Sequence, residues 1–94
     1  MMDDKDAVDR WIARLRAGAS LRVPFTTTLY PDTRAERSVL RAAGEGFVLE
    51  TTFHEFAPGH GWSTELRETE ARTETEVRAS LAYAAADEVI EVTA

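Results

Sequence analysis

Residues 44–62 read GEGFVLETTFHEFAPGHGW, and this stretch indicates the fold more clearly than any other. Its centre alternates along a strand, so that Phe47, Leu49, Thr51 and Phe53 share one side. Turn sequences rich in glycine and proline stand on both sides of it, at 44–46 and 57–61. A strand enclosed by two tight turns is typical of an antiparallel sheet.

The neighbours of this strand follow from its two turns. The turn at 57–61 separates Phe56 from Trp62, so we expect the two rings to meet across a hairpin and a further strand to run over 62–71. Residues 35–43 fit either a short helix or a strand. Because they lead into the turn at 44–46, we predict a strand there.

The N-terminal segment has helical periodicity. Val8, Trp11, Ile12 and Leu15 fall at i, i+3, i+4 and i+7, which predicts a helix over roughly residues 4–17. Asp3 or Asp4 can cap its start, and Gly18 is a suitable residue to end it. From Leu21 to Tyr30 the apolar side chains alternate, and three consecutive threonines favour a strand. Because Pro24 lacks an amide donor, we expect that strand to lie at a sheet edge or to begin pairing only after Pro24, and residues 30–33 predict a turn.

The C-terminal third has two interpretations. Thr73 and Glu76 have the spacing of a capping box, and the alanine-rich sequence after them predicts a helix over about 73–86. The same residues also alternate, which is compatible with a strand. We prefer the helix, followed by a short strand at Val89–Val92.

Together these elements predict a single domain over 1–94, of α+β class. We expect an antiparallel sheet of three to five strands, with an N-terminal helix and a C-terminal helix packed on one face. The predicted core comprises Trp11, Ile12, Leu15, Phe25, Phe47, Leu49, Phe53 and Leu81.

Composition excludes several classes of function. The chain has no cysteine, so it has no disulfide, no thiolate metal ligand and no cysteine nucleophile, and a cytoplasmic location is the default. The acidic N-terminus does not resemble a signal peptide, and no apolar run is long enough to span a membrane. We therefore expect no membrane association.

The residues that could carry chemistry do not form a recognisable site. His54, Glu55 and His60 lack the spacing of a helical zinc motif, and in a strand the first two point to opposite sides. Ser63 has no nucleophile-elbow glycines around it, and the glycines match no phosphate-binding loop. We expect no cofactor, no metal and no catalytic residue, although catalysis is not excluded by these patterns.

Charge is distributed unevenly along the chain. The net charge is −6, and residues 63–94 hold eight acids against three bases. Such a segment repels phosphate backbones and attracts basic surfaces, so we expect a protein partner with a basic surface and no direct binding of nucleic acid. The candidate partner-binding residues are Trp62, Glu65, Glu68, Glu70, Glu74 and Glu76. A solvated face for the glutamates and a core position for Trp62 are the plainer alternatives.

The sequence leaves three classes of function open. We favour a small non-catalytic inhibitor or immunity-type protein that docks a basic partner surface. A self-associating accessory or regulatory domain, with a possible homodimer, is the alternative. A small-ligand-binding protein or enzyme is the third class.

Overall fold

The computed structural model describes residues 5–28 and 31–92, and these form two helices and one antiparallel sheet. The helices are α1 (Lys5–Arg16) and α2 (Glu74–Tyr83), and a short 3-10 helix covers Ala86–Glu88. The strands are β1 (Ser20–Val23), β2 (Thr33–Ala43), β3 (Gly46–Ala57), β4 (Gly61–Trp62), β5 (Leu66–Arg72) and β6 (Ile90–Val92). The predicted α+β class is confirmed, whereas the predicted number of strands was too low.

The β2–β3 hairpin is the centre of the sheet. Its register runs from Ala43 opposite Gly46 to Thr33 opposite Glu55, with one bulge between Ala35 and Arg37. On the far side of β2 lie β1 and then β6, both antiparallel. On the far side of β3, β5 pairs with the first part of the strand and β4 with its last residues. The strand predicted between the two turns is therefore confirmed. It pairs with three other strands, β2, β4 and β5.

The two faces of this sheet differ in burial. We call the face that carries Leu21, Leu40 and Leu49 the inner face, because these side chains are fully buried. They form one hydrophobic cluster with buried residues of both helices, among them Ile12 and Leu81. We call the opposite face, with Arg22, Val39, Arg41, Val48 and Glu50, the open face.

The first helix begins and ends close to its predicted bounds. Val8, Ile12 and Leu15 are its buried residues, as their spacing predicted. Gly18 follows with a φ of 103°, a conformation that suits glycine at a helix C-terminus. The candidate caps Asp3 and Asp4 lie outside the described residues. Arg16 then joins the helix to the hairpin turn by donating a 2.8 Å hydrogen bond to the Glu45 carbonyl.

The second helix is present, so the alternative of a strand over 73–86 was wrong. Thr73 is its N-cap, with the hydroxyl accepting from the Glu76 amide and the Glu76 carboxylate accepting from the Thr73 amide. The capping box inferred from these two residues is thus confirmed. The short strand at the C-terminus is also confirmed, as Ile90–Val92 pairs with β1.

The strand predicted from Leu21 to Tyr30 was too long, and its predicted position at a sheet edge was wrong, because β1 lies between β2 and β6. It ends at Val23, because Pro24 has no amide hydrogen to continue the ladder. The segment that follows crosses the inner face instead: Thr27 N–H donates to Thr51 Oγ1 at 2.9 Å, and Thr28 N–H donates to Glu70 Oε1 at 2.7 Å. Residues 29 and 30, including the predicted turn residue Tyr30, lie outside the described residues.

The single strand predicted over 62–71 is in fact two. Gly61–Trp62 continues the hairpin from β3, and Leu66–Arg72 pairs with β3 separately. Ser63 separates them, because its hydroxyl accepts from the Glu55 amide and donates to the Thr64 carbonyl. This split raises the strand count from the predicted maximum of five to six.

The predicted core is largely correct. Trp11 and Phe25 are only partly buried and pack at the margin of the cluster. The remaining predicted core residues are buried, namely Ile12, Leu15, Phe47, Leu49, Phe53 and Leu81.

Candidate protein-binding surface on the hairpin arm

The β2–β3 hairpin extends beyond the hydrophobic cluster at the end opposite its turn, which connects Ala43 to Gly46. We call this part the arm, residues 31–36 and 53–65. Along β3 the side chains are buried as far as Phe53 and exposed from Glu55 onward. The domain measures 49 × 27 × 23 Å, which fits a sheet that is much longer than its helical cover. From residue 55 onward, the arm presents exposed side chains on both faces of β3.

Two aromatic side chains meet at the end of the arm. Phe56 is opposite Trp62 in the register, and their ring centroids lie 5.3 Å apart at an interplanar angle of 60°. This confirms the contact expected across the turn at 57–61. Phe56 is 43% exposed and Trp62 50% exposed. Such an exposed aromatic pair is a typical anchor in protein interfaces.

Polar contacts hold this end of the arm in shape. The Arg34 guanidinium lies 5.4 Å from the Trp62 ring centroid and also donates to Glu36 at 2.9 Å. His54 Nδ1 lies 3.0 Å from the Ser63 carbonyl oxygen, and its Nε2 lies 3.7 Å from Glu36. These contacts restrain the side chains around the aromatic pair.

The charge of the arm is mainly negative. It carries one guanidinium, that of Arg34, and four carboxylates: Asp32, Glu36, Glu55 and Glu65. Asp32 and Glu55 are exposed and have no ion pair among the described residues. An aromatic pair within an acidic surface is complementary to a basic protein surface.

The predicted glutamates do not all lie on the same surface as Trp62. Glu65 lies on the arm, 3.8 Å from Arg67. Glu68 and Glu70 lie opposite Thr51 and Leu49, which places them on the inner face, whereas strand alternation places Phe56 and Trp62 on the open face. Within the described residues Glu68 has no ion pair, while Glu70 binds Arg72 at 2.8 Å and accepts from Thr28.

The two remaining predicted glutamates begin α2. Glu74 contacts Arg16 and Arg78 at 3.3 and 3.2 Å, and Glu76 completes the capping box. Acids in a first helical turn interact favourably with the helix dipole. These two side chains therefore have a role inside the domain, and their binding to a partner stays a prediction.

These ion pairs predict that acid destabilises the domain. Arg78 holds the pKa of Asp9 and of Glu74 below their ordinary values, and Arg14 does the same to the pKa of Glu91. A carboxyl whose pKa is lower in the folded state stabilises it above the ordinary pKa and loses that effect as pH falls. We expect the urea midpoint to be constant from pH 7 to about pH 5 and to fall below that.

Arg78→Ala tests the cause of this acid sensitivity. It removes two of the ion pairs and should flatten the fall of the urea midpoint between pH 5 and pH 3. Arg67→Ala is the matched control, because the Arg67 side chain is exposed and its one ion pair within residues 5–28 and 31–92 is with Glu65. An identical pH dependence in Arg78→Ala and the unaltered chain would refute this explanation.

Sequence reasoning missed two components of the arm. Phe56 and Arg34 complete the surface around Trp62, and the expected Phe56–Trp62 contact was the signal that could have extended the site to Phe56. Arg34 became recognisable only through the β2–β3 register, which sets it opposite His54.

The two histidines lie in different environments. His54 is half-buried on the sheet and His60 is exposed in the turn. Across residues 5–28 and 31–92, no group of three or more His, Cys, Asp or Glu side chains could hold a metal ion. Within the same ranges, neither helix combines the length and apolar character needed to cross a membrane.

Comparison with protein-family models, curated proteins and solved structures finds no match to this chain. The arm, its exposed aromatic pair and its charge are therefore the observations from which a function is inferred.

Proposed function

We propose that the chain is a non-catalytic protein-binding domain, of the inhibitor or immunity type, that docks a basic surface of a partner protein through its arm. The observation that carries this proposal is the exposed Phe56–Trp62 pair at the end of the projecting hairpin. A domain of 94 residues has few aromatic side chains for its core. Leaving two of them together in solvent is costly unless a partner covers them.

The aromatic pair and the carboxylates have different roles in this proposal. Burying Trp62 and Phe56 removes apolar surface from water and governs how long the complex lasts. The exposed carboxylates of Asp32, Glu55 and Glu65 attract the partner, because each surface ion pair contributes at most about 1 kcal/mol but charge accelerates encounter. The proposal therefore assigns the acidic part of the partner-binding surface to the arm, and not to β5 and α2 as the sequence had suggested.

Self-association is the alternative. The edge of β5 has no strand beyond it among the described residues, so a second copy could pair there. However, the strand reads LRETEAR, and charged side chains along an edge discourage such pairing. A homodimer therefore has less support than a partner on the arm.

The proposal predicts that two kinds of substitution weaken binding through different rate constants. The measurements use a partner protein isolated by its binding to the immobilised chain. Trp62→Ala should raise the dissociation constant of this complex about tenfold, mainly through the dissociation rate. Changing both Glu55 and Glu65 to Lys should slow association at low salt and matter little at high salt, since a Debye length of about 8 Å at physiological ionic strength screens the attraction. Surface plasmon resonance at two salt concentrations separates the two rates.

Tyr83→Ala is the matched control for Trp62→Ala. Tyr83 is an aromatic residue at the end of α2, 80% exposed and outside the arm. Its loss should leave binding unchanged, and circular dichroism should show every variant folded. Equal losses of affinity in Trp62→Ala and Tyr83→Ala, or none in either, would refute the arm as the binding surface. Light scattering of the isolated chain tests the homodimer.

A further inference from the structure

A notch interrupts the sheet where β1 ends. On the side of β2 away from β3, β1 pairs only with residues 38–40, because Pro24 turns the chain over the inner face. Residues 34–37 of β2 consequently have no strand on that side within the described part of the chain. Backbone N–H and C=O groups along such an edge are a template for a further strand.

A cavity of about 520 Å³ lies at this notch. Its walls include Arg22 and Pro24 from the β1 side, Arg37 from β2, and Ile90 from β6. Ile90 is 50% exposed, although it is a large apolar side chain. A second cavity, of about 410 Å³, adjoins it on the open face and shares Arg22, Glu36 and Arg37. The free strand edge therefore borders a groove with both apolar and charged walls.

The two arginines of the notch are unpaired. Arg22 lies opposite Val39, two residues from Arg37, so strand alternation puts both guanidiniums on the open face as neighbours. Neither has an ion pair or a side-chain hydrogen bond among the described residues. The other arginines described on this face are paired: Arg34 with Glu36, Arg41 with Glu50 and Arg67 with Glu65.

Glu36, Glu65 and Glu88 line the two cavities, but none of them forms an ion pair with Arg22 or Arg37 among the described residues, and Glu65 pairs with Arg67. Glu36 is 2.9 Å from Arg34 and 3.7 Å from His54. Glu88 is exposed at the rim and has no ion pair in the described part of the chain. Two adjacent positive groups beside a free strand edge are complementary to an extended segment that carries negative charge.

We propose that the notch binds an extended acidic segment of a partner protein by strand addition along β2. Successive side chains of such a segment point to opposite faces. Acidic side chains two residues apart would meet Arg22 and Arg37 on the open face. A second copy of this chain fits less well, because pairing its notch with the same notch brings four unpaired arginines together.

This binding is separate from the function proposed for the arm. The arm uses Trp62 and Phe56 to engage a basic surface, whereas the notch uses backbone groups and two guanidiniums to hold an acidic segment. Loss of one therefore does not predict loss of the other. The bulge at Glu36 limits the regular edge to a few residues, which suits a short segment better than a long strand.

A peptide titration tests the proposal on the whole chain labelled with ¹⁵N. The probe is the capped hexapeptide Glu-Val-Glu-Val-Glu-Val, and the comparison peptides replace every Glu by Lys or methylate alternate backbone nitrogens. We expect the first peptide to shift the amide resonances of residues 34–37 and of Arg22, and neither comparison peptide to do so. Glutarate, a small dicarboxylate, should not reproduce these shifts.

Two variants connect the shifts to the unpaired arginines. Arg22→Ala and Arg37→Ala should each weaken peptide binding about three- to fivefold, and the double variant about tenfold. Arg41→Ala is the matched control, because Arg41 lies on the same face, pairs with Glu50 and does not line the cavity. The proposal is wrong if the acidic peptide shifts no amide in 34–37, if the methylated peptide or glutarate binds equally well, or if Arg41→Ala weakens binding as much as Arg37→Ala.

Discussion

Phe47→Ala is expected to lower the free energy of unfolding by about 3–5 kcal/mol, the usual cost of truncating a buried phenylalanine. Phe47 is 1% exposed, and it joins the hydrophobic cluster at the start of β3. The Arg16 guanidinium lies 4.3 Å from its ring centroid. The substitution therefore leaves a cavity and also removes the surface on which Arg16 rests.

An effect of this size is a large part of the total stability. The free energy of unfolding of a small domain is only about 5–15 kcal/mol, so a loss of about 3–5 kcal/mol should lower the urea midpoint substantially. Urea denaturation followed by tryptophan fluorescence gives the change directly. Phe56→Ala is the matched control, because it removes the same ring from a side chain that is 43% exposed. We expect Phe56→Ala to cost less than about 1 kcal/mol, and equal losses would contradict the described core.

The parts of the fold that sequence predicted are those with local causes. The turn at 57–61 and the alternation around Phe47 act over a few residues, and the structure has both. The same holds for α1 and for the capping box at Thr73. In each case short-range geometry and burial favour the same element, so one sequence is sufficient to identify it.

The parts of the fold that the sequence did not predict depend on contacts between residues that are far apart along the chain. The threonines after Pro24 favour a strand locally, yet the Thr27 amide binds Thr51, 24 residues away. The break at Ser63 likewise depends on hydrogen bonds to Glu55 and on the end of pairing with β3. Local strand preference is weaker than such tertiary contacts, which is why both strand boundaries were wrong.

The candidate sites likewise separate into features with a local sequence signal and features that depend on tertiary structure. Trp62 was identified from sequence because an aromatic residue after a tight turn was expected to face Phe56. The grouping of Glu65, Glu68 and Glu70 followed their order in the chain, whereas strand alternation and the break at Ser63 set them apart in space. The notch at Arg22 and Arg37 was not predicted, because Pro24 was expected to affect the position of the strand in the sheet and not to end it beside a longer β2.

The hydroxyl of Thr51 is expected to be essential for the segment that crosses the inner face. Thr51 is fully buried, its Oγ1 accepts from Thr27 N–H at 2.9 Å, and it lies 3.0 Å from Ser38 Oγ. Thr51→Val keeps the shape of the side chain but removes the acceptor. The Thr27 amide and the Ser38 hydroxyl then lose a partner at buried positions, and each such loss costs about 1–3 kcal/mol. We expect Thr51→Val to lower the free energy of unfolding by about 3 kcal/mol.

Thr51→Ser separates this hydrogen-bond effect from packing. It keeps the hydroxyl and loses one buried methyl group, so we expect a cost of about 1 kcal/mol. Amide hydrogen exchange gives a second measurement, because the Thr27 amide should exchange much faster in Thr51→Val and remain protected in Thr51→Ser. If Thr51→Val proves as stable as Thr51→Ser with the Thr27 amide still protected, then the crossing segment is held by the packing of Val23 and Phe25 and not by this hydrogen bond.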